Sequence, residues 1–504
     1  MTTRMTVLCA VFAAHSLTAV EVDFREPQIV PAPRKMAYEA HRAVRLEDAT
    51  RFSVSCPDVA ARDWVAAKAK HWWKIDPGIS DAELALSTAD EGYSINAEPG
   101  RIEIAARTLQ GIRYAMMTLR QAAEPCPSGL GEEKYWLASL KVEDAPAMKF
   151  RGLHLCAFPE LSVRMLEHQI RLAAYYKYNY VVLESWGMFK SERFPFLAFG
   201  DSGLTPAETK RLAALGRDLG VTLVPQFNVF GHAAGARSMS GKHVTLDYHP
   251  QYQSLFEPGG GWNWCLTNPE TKAVLKGVLA ELHESFLNPP FVHIGCDEAN
   301  EPSCARCRAA GPYWRLFAAH VTEIAAMLRA RGARTMMWHD MLLDHGDPRW
   351  TGFYANGTAG IAAALATDFP KDVVVCDWYY GEVPKSGDFP TLRHFGELGF
   401  DTLAAPFFNA KTTAAQGAFA RQNGLYGVLQ TVWNVIRGEK FAVGVANGAA
   451  AAWGTAPFEP PKIPMGAAPI PHPFATHWRQ VGWDMGVSSY GETGYYDTQV
   501  TRGI

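Results

Sequence analysis

The segment FVHIGCDEAN, residues 291–300, sets an apolar run, a His, a Gly and a Cys directly ahead of two adjacent acids, Asp297 and Glu298. Two carboxylates aimed at one spot straight after a buried strand suit acid–base chemistry. Polar and aromatic residues also fall at the ends of other strand-like runs. They are Arg151 and His154, Glu184 and Trp186, Gln226, Asn228 and His232, then His293, then Trp338, His339 and Asp340, then Asp377, Trp378 and Tyr379, and finally Trp433 with Asn434. Each taken singly has an ordinary structural use, since a Trp caps a core and an acid pairs with an Arg. Four Trp and five acids at these strand ends exceed what structure alone requires.

The elements that must position these residues repeat along the chain. Short β-branched runs begin at residues 150, 180, 221, 291, 334, 372, 401 and 426, and helix-length amphipathic segments such as SVRMLEHQIRLAAYYK and NPETKAVLKGVLAELHESF lie between them. Several helices open on a Ser or Thr cap or on Asn-Pro. Eight β-then-α units without a Gly-rich phosphate turn after the first strand predict an α/β protein whose core is a (β/α)8 TIM barrel, with its active site where the strands end. Ahead of it, residues 20–145 alternate strand and helix patterns and predict a small α/β domain. Pro146 marks the boundary, the barrel occupies 146–456, and the Pro-rich, then Tyr- and Gly-rich, stretch 457–504 receives no role.

A chain of 504 residues with 48% hydrophobic and 20% charged residues can bury a large core. A net charge of -3 and the lack of a Lys/Arg run argue against nucleic acid as a partner. Residues 1–19 have the layout of a secretory signal, with Arg4, an apolar run and small residues near Ala19, so export to the periplasm or medium is expected, with no membrane span. The CARC segment, 304–307, is a lone CxxC lacking the second ligand pair of a structural zinc site. A local disulfide is therefore the expectation, and no metal or cofactor is expected.

Several segments together carry a family resemblance. HIGCDE resembles the HxGGDE signature of family 20 glycoside hydrolases, the β-N-acetylhexosaminidases, with Cys296 in place of the second Gly. GIRYAMMTLRQ is similar to the GxxYGxxTLxQ segment of their N-terminal domain, VPQFNVFGHA to their VPExDxPGH loop, and CLTNPETKAVL to their CxxNPET helix start. DAPAMKFRGLHL resembles the start of their barrel, while MMWHDML and LQTVWN resemble their later Trp-bearing strands, especially in the hexosaminidase D-like branch. The chain departs from the pattern at Gln226 and Phe230, and near Cys156. It also offers Phe407, Phe408 and Asn409 where many members place a Tyr that binds the acetamido oxygen.

The resemblance implies exo-hydrolysis of terminal β-linked GlcNAc or GalNAc from glycans. It also implies the family's departure from the usual carboxylate nucleophile: the substrate's own 2-acetamido oxygen attacks, through an oxazolinium intermediate. Asp297 would hold the acetamido N–H and stabilise the positive ring, and Glu298 would act as general acid and then base. Glu298 must then carry a proton near neutral pH, which a negative neighbour and a dry, Trp-lined pocket both favour. Trp338, Trp378 and Trp433 would box the acetamido methyl and stack on the sugar. Arg151 and Glu184 would grip hydroxyls, His232 and His293 would support the acids, and Tyr379 or Tyr380 would donate to the acetamido oxygen. Two rival readings are a double-displacement glycosidase with Asp340 or Glu184 as nucleophile and a carbohydrate-binding protein without turnover. A homodimer is compatible with the sequence.

Overall fold

The computed structural model describes residues 24–459 apart from 25, 47–50, 77, 82–84, 86–88, 126–134, 159–160, 186, 199–202, 234–244, 259, 368, 434 and 436–437. The secretory-signal pattern, Trp186, Asn434 and most of the C-terminal stretch lie outside the described residues.

The N-terminal part is a seven-stranded sheet. Its spatial order is Lys35–Arg45, Tyr135–Asp144, Tyr93–Glu98, Arg101–Ala106, Arg51–Ser55 and Gly78–Asp81, with the short Glu124–Pro125 pairing onto Tyr135–Asp144. Helix Leu109–Ala122 opens on Thr108, whose hydroxyl accepts the Gly111 N–H. It packs between this sheet and the barrel, where Gln121 Nε2 donates to Tyr175 O at 2.7 Å.

The second part is a closed barrel of eight parallel strands: Phe150–Cys156, Tyr180–Glu184, Thr222–Gln226, Phe291–His293, Arg334–Trp338, Val374–Trp378, Asp401–Ala405 and Gly427–Thr431. All eight arise where the β-branched runs predict them. Because helices cover the outside and side chains fill the inside, the strands are buried on both faces, and every residue of Val374–Trp378 is buried. The helices start where their caps stand. Ser162 accepts Met165 N–H, Thr205 and Glu208 form a reciprocal capping box, and Asn268 caps the helix that begins at Pro269.

Aromatic rings plug the N-terminal end of the barrel: Phe150 stacks on Tyr180 with centroids 4.4 Å apart, and Phe291 and Tyr426 close round them. Above lie Val182, Val224, Met336, Val374, Leu403 and Leu429, all fully buried. With that end filled, a site within the barrel is to be sought at the C-terminal ends of the strands.

This geometry corrects the reading of Arg151. Only the second residue of its strand, it points outward, 1% exposed, into the junction with the N-terminal sheet. There it donates to Met148 O at 2.7 Å and to the Tyr114 hydroxyl, and pairs with Glu91 at 2.9 Å. The same junction buries Lys177 beside Tyr93 and Asp144, and burial lowers its ammonium pKa to about 8. Arg151 is a joint between the two parts and grips no ligand at the mouth. The expected CARC disulfide is also absent: Cys304 and Cys307 are both free thiols.

Candidate active site

The fourth barrel strand stops at His293, and the backbone then turns through left-handed conformations at Gly295 (φ 65°), Cys296 (φ 73°) and Glu298 (φ 47°). The turn has a chemical consequence. Successive side chains of an extended strand point to opposite faces, so Asp297 and Glu298 would otherwise diverge. Here they converge on His232, whose Nε2 is 3.2 Å from Asp297 Oδ2 and 3.2 Å from Glu298 Oε2. Glycines permit the close approach: a β carbon on Gly295 would lie 2.2 Å from Asn228 Oδ1, and one on Gly231 would lie 2.2 Å from Asp297 O. Cys296, which stands where the signature that this segment resembles has a glycine, adopts the left-handed conformation without that freedom.

The two acids sit in different surroundings. Asp297 is buried, and Asn228 Nδ2 donates to its Oδ1 at 3.2 Å. Gln226 Nε2 in turn donates to Asn228 Oδ1 at 3.3 Å. The Glu298 side chain is 48% exposed and faces the opening, so the dry environment expected round it is not built into the free protein and must come with a ligand. Its backbone is nevertheless fixed: its N–H donates to Asp340 Oδ2 at 2.9 Å, and its carbonyl accepts Trp262 Nε1 at 2.7 Å. The Trp262 ring also packs on His232, centroids 4.4 Å apart.

Asp340 is fully buried and accepts three donors, the Glu298 N–H, Asn356 Nδ2 at 2.8 Å and Trp378 Nε1 at 3.2 Å. Burial, and then the charge of Asp297, push its pKa up to about 7. The folded state holds this proton where the unfolded chain has released it, so the stability Asp340 contributes is full below about pH 3.9 and is lost as pH rises through about 7. Asp340→Asn is expected to flatten the pH dependence of denaturant midpoints across that window. A variant curve parallel to the parent's would refute the assignment.

Aromatic rings wall the mouth. Trp378 lies against Tyr354 (centroids 3.9 Å) and Tyr380 (5.3 Å), and Trp433 Nε1 donates to the Tyr380 hydroxyl at 2.7 Å. Trp338, fully buried, is the floor beneath Trp433, 5.4 Å away, with His154 and His293 against it. Tyr379 departs from the expected role: it points outward, stacks on Phe353 and donates to Glu382 O. Tyr380 is the tyrosine that faces in. Strand alternation contained this signal, because Val374, Cys376 and Trp378 are the inward residues and period two continues to Tyr380.

Glu184 is buried 3.1 Å from His154 Nε2, below the rim. His293 is fully buried, its Nδ1 accepts the Gly295 N–H at 3.1 Å, and burial with the nearby His154 holds its pKa well below the ordinary value. It shapes the turn that delivers the acids. Trp262, Tyr354 and Asn356 carry no sequence signal for the site, because they lie in loops remote from the strand ends that meet only in space.

The stretch 156–387 matches the model for Glycosyl hydrolase family 20, catalytic domain, and 26–145 that for domain 2 of the same family. The chain is 28% identical over 234 residues to a beta-N-acetylhexosaminidase of Cellulomonas fimi, covering 42% of this chain and 45% of that one. It is 25% identical over 339 residues to a beta-hexosaminidase of Vibrio furnissii, covering 58% and 53%. It thus spans about half the length of these curated relatives. Among solved structures, a Vibrio harveyi exo beta-N-acetylglucosaminidase in complex with N-acetylglucosamine superposes with a TM-score of 0.66 at 15% identity, over 93% of this chain and 79% of that one. A Streptomyces coelicolor A3(2) beta-N-acetylhexosaminidase gives 0.62 at 16% identity, over 91% and 98%.

Proposed function

Because the chain belongs to glycosyl hydrolase family 20, we propose that it removes terminal β-linked N-acetylhexosamine residues from glycans, with retention of configuration and with the substrate's acetamido oxygen as nucleophile. The observation that carries this reading is the convergence of two differently housed acids on His232 beside an aromatic wall. Asp297, buried and oriented by Asn228, accepts the acetamido N–H and offsets the charge of the oxazolinium ring. Glu298, at the open side, protonates the departing oxygen and then takes a proton from the incoming water. The Trp378–Tyr380–Trp433 wall would offer the sugar a face for stacking, and the Tyr380 hydroxyl, which accepts Trp433 Nε1, would donate to the acetamido oxygen.

The double-displacement alternative fits the geometry poorly. Asp340 is fully buried with three donors already on it, and Glu184 is buried below the rim beside His154. Neither lies at an open face of a sugar. Hydrolysis of aryl β-GlcNAc, β-GalNAc and β-Gal separates the readings. The expected result is turnover of one or both acetamido sugars with inhibition by a thiazoline mimic of the oxazoline; a preference for the plain galactoside would overturn substrate assistance.

A further inference from the structure

Away from the two acids, the loop that follows the third barrel strand meets the loop that follows the fourth. Cys265 Sγ from the first loop lies 3.7 Å from Cys304 Sγ and 3.7 Å from Cys307 Sγ of the second. A carboxylate oxygen of Glu257 joins them, so that the four ligand-type atoms fall within 4.8 Å of one another. We propose that Glu257, Cys265, Cys304 and Cys307 bind a zinc ion that clamps the two loops together.

The spacing is that of a tetrahedral site. Ligands about 2.3 Å from a central ion stand about 3.8 Å apart along a tetrahedron's edge, which matches the sulfur separations here, whereas a disulfide brings two sulfurs to about 2.05 Å. The lone CxxC did lack a second ligand pair in the sequence, and the fold supplies that pair from residues about forty positions upstream. Zinc takes thiolate and carboxylate ligands together, and closed four-ligand sites of this kind are structural.

The surroundings suit the charge of such a site. Glu257 is 3% exposed; its Oε2 accepts the Ser303 and Cys304 N–H groups at 2.7 and 2.6 Å, while its buried Oε1 accepts no hydrogen bond from the described residues and is available to an ion. These backbone bonds orient the carboxylate in the way outer partners orient metal ligands. The Cys307 N–H donates to Cys304 Sγ at 3.3 Å, and Arg306 brings a guanidinium nitrogen to 3.7 Å from Cys265 Sγ. Binding would release the thiol protons to solvent.

The position gives the clamp its purpose. Between Glu257 and Cys265 lie Trp262, which holds the Glu298 carbonyl, and Asn263, which exchanges hydrogen bonds with the backbone of Asn300. The same two loops therefore carry the ligand set at one end and the backbone anchor of Glu298 at the other.

Elemental analysis of the purified full-length protein, dialysed in metal-free buffer, tests this directly. The expected result is about one zinc per chain. That zinc should be lost in Cys265→Ser and in Cys307→Ser and kept in Cys56→Ser, which changes a free cysteine outside the cluster. Should the cluster variants not fold, the parent protein decides. After chelation under reducing conditions, added Co2+ should restore one equivalent with a sulfur-to-cobalt charge-transfer band. No zinc in the parent and no cobalt band would overturn the proposal, as would a disulfide joining any two of the three cysteines in peptides from the unreduced protein.

Discussion

Glu298→Gln is expected to lower kcat on an alkyl or sugar β-N-acetylhexosaminide by roughly 10² to 10⁴, equivalent to about 3 to 5 kcal/mol of barrier, with KM little changed. The substitution keeps the side-chain shape, and the backbone anchors at Asp340 and Trp262 do not involve the carboxyl group, so the turn that presents residue 298 should survive. What disappears is the transferable proton. The loss must therefore scale with how badly the leaving oxygen needs protonation: an aryl glycoside whose phenol is strongly acidic should lose far less in the bond-breaking step than a sugar leaving group. Equal losses for both classes, or near-parent turnover, would remove Glu298 from the acid role.

For Asp297→Asn a fall of roughly 10² to 10³ in kcat is expected, because the amide keeps the volume and a hydrogen-bonding oxygen but removes the negative charge set against the developing oxazolinium. Asn228 can still donate to the oxygen of an amide, so the local frame need not collapse. Water has no route to replace the charge, since Asp297 is 4% exposed and walled by Asn228 and His232. Binding of a thiazoline should weaken alongside kcat, because a mimic of the charged ring meets the same deficit. Trapping a covalent sugar–protein adduct during turnover by the parent enzyme would sink the assignment of both acids.

Alternation explains why some site residues were legible in the sequence and others were not. Taking strand ends as a set identified Trp338, Trp378, Trp433, Asp297 and Glu298, and all of them gather at the mouth. The set ignored which residues of a strand face inward. In the first strand His154 faces the barrel axis, so Arg151, an odd number of positions earlier, must face out; three residues at about 3.3 Å each also place it roughly 10 Å nearer the plugged end. The same parity separates Tyr380 from Tyr379. Asp340 stands where the reading of strand ends placed it, but its three donors arrive from residues 298, 356 and 378, and only that arrangement turns it from a candidate nucleophile into a support for the Glu298 backbone.

By itself the sequence determined the eight strand-and-helix units, the closed barrel they imply, the helix starts and the pair of acids at the fourth strand's end. These rest on periodicity, caps and burial, which are properties of short segments. Tertiary structure alone decided that Asp297 and Glu298 point the same way, since this depends on left-handed φ angles at Cys296 and Glu298, residue types that give no local warning of them. It alone also brought Cys265 and Glu257 to the CxxC across two loops. No local pattern encodes a distance between segments separated by about forty residues. That distance is set by how the barrel closes.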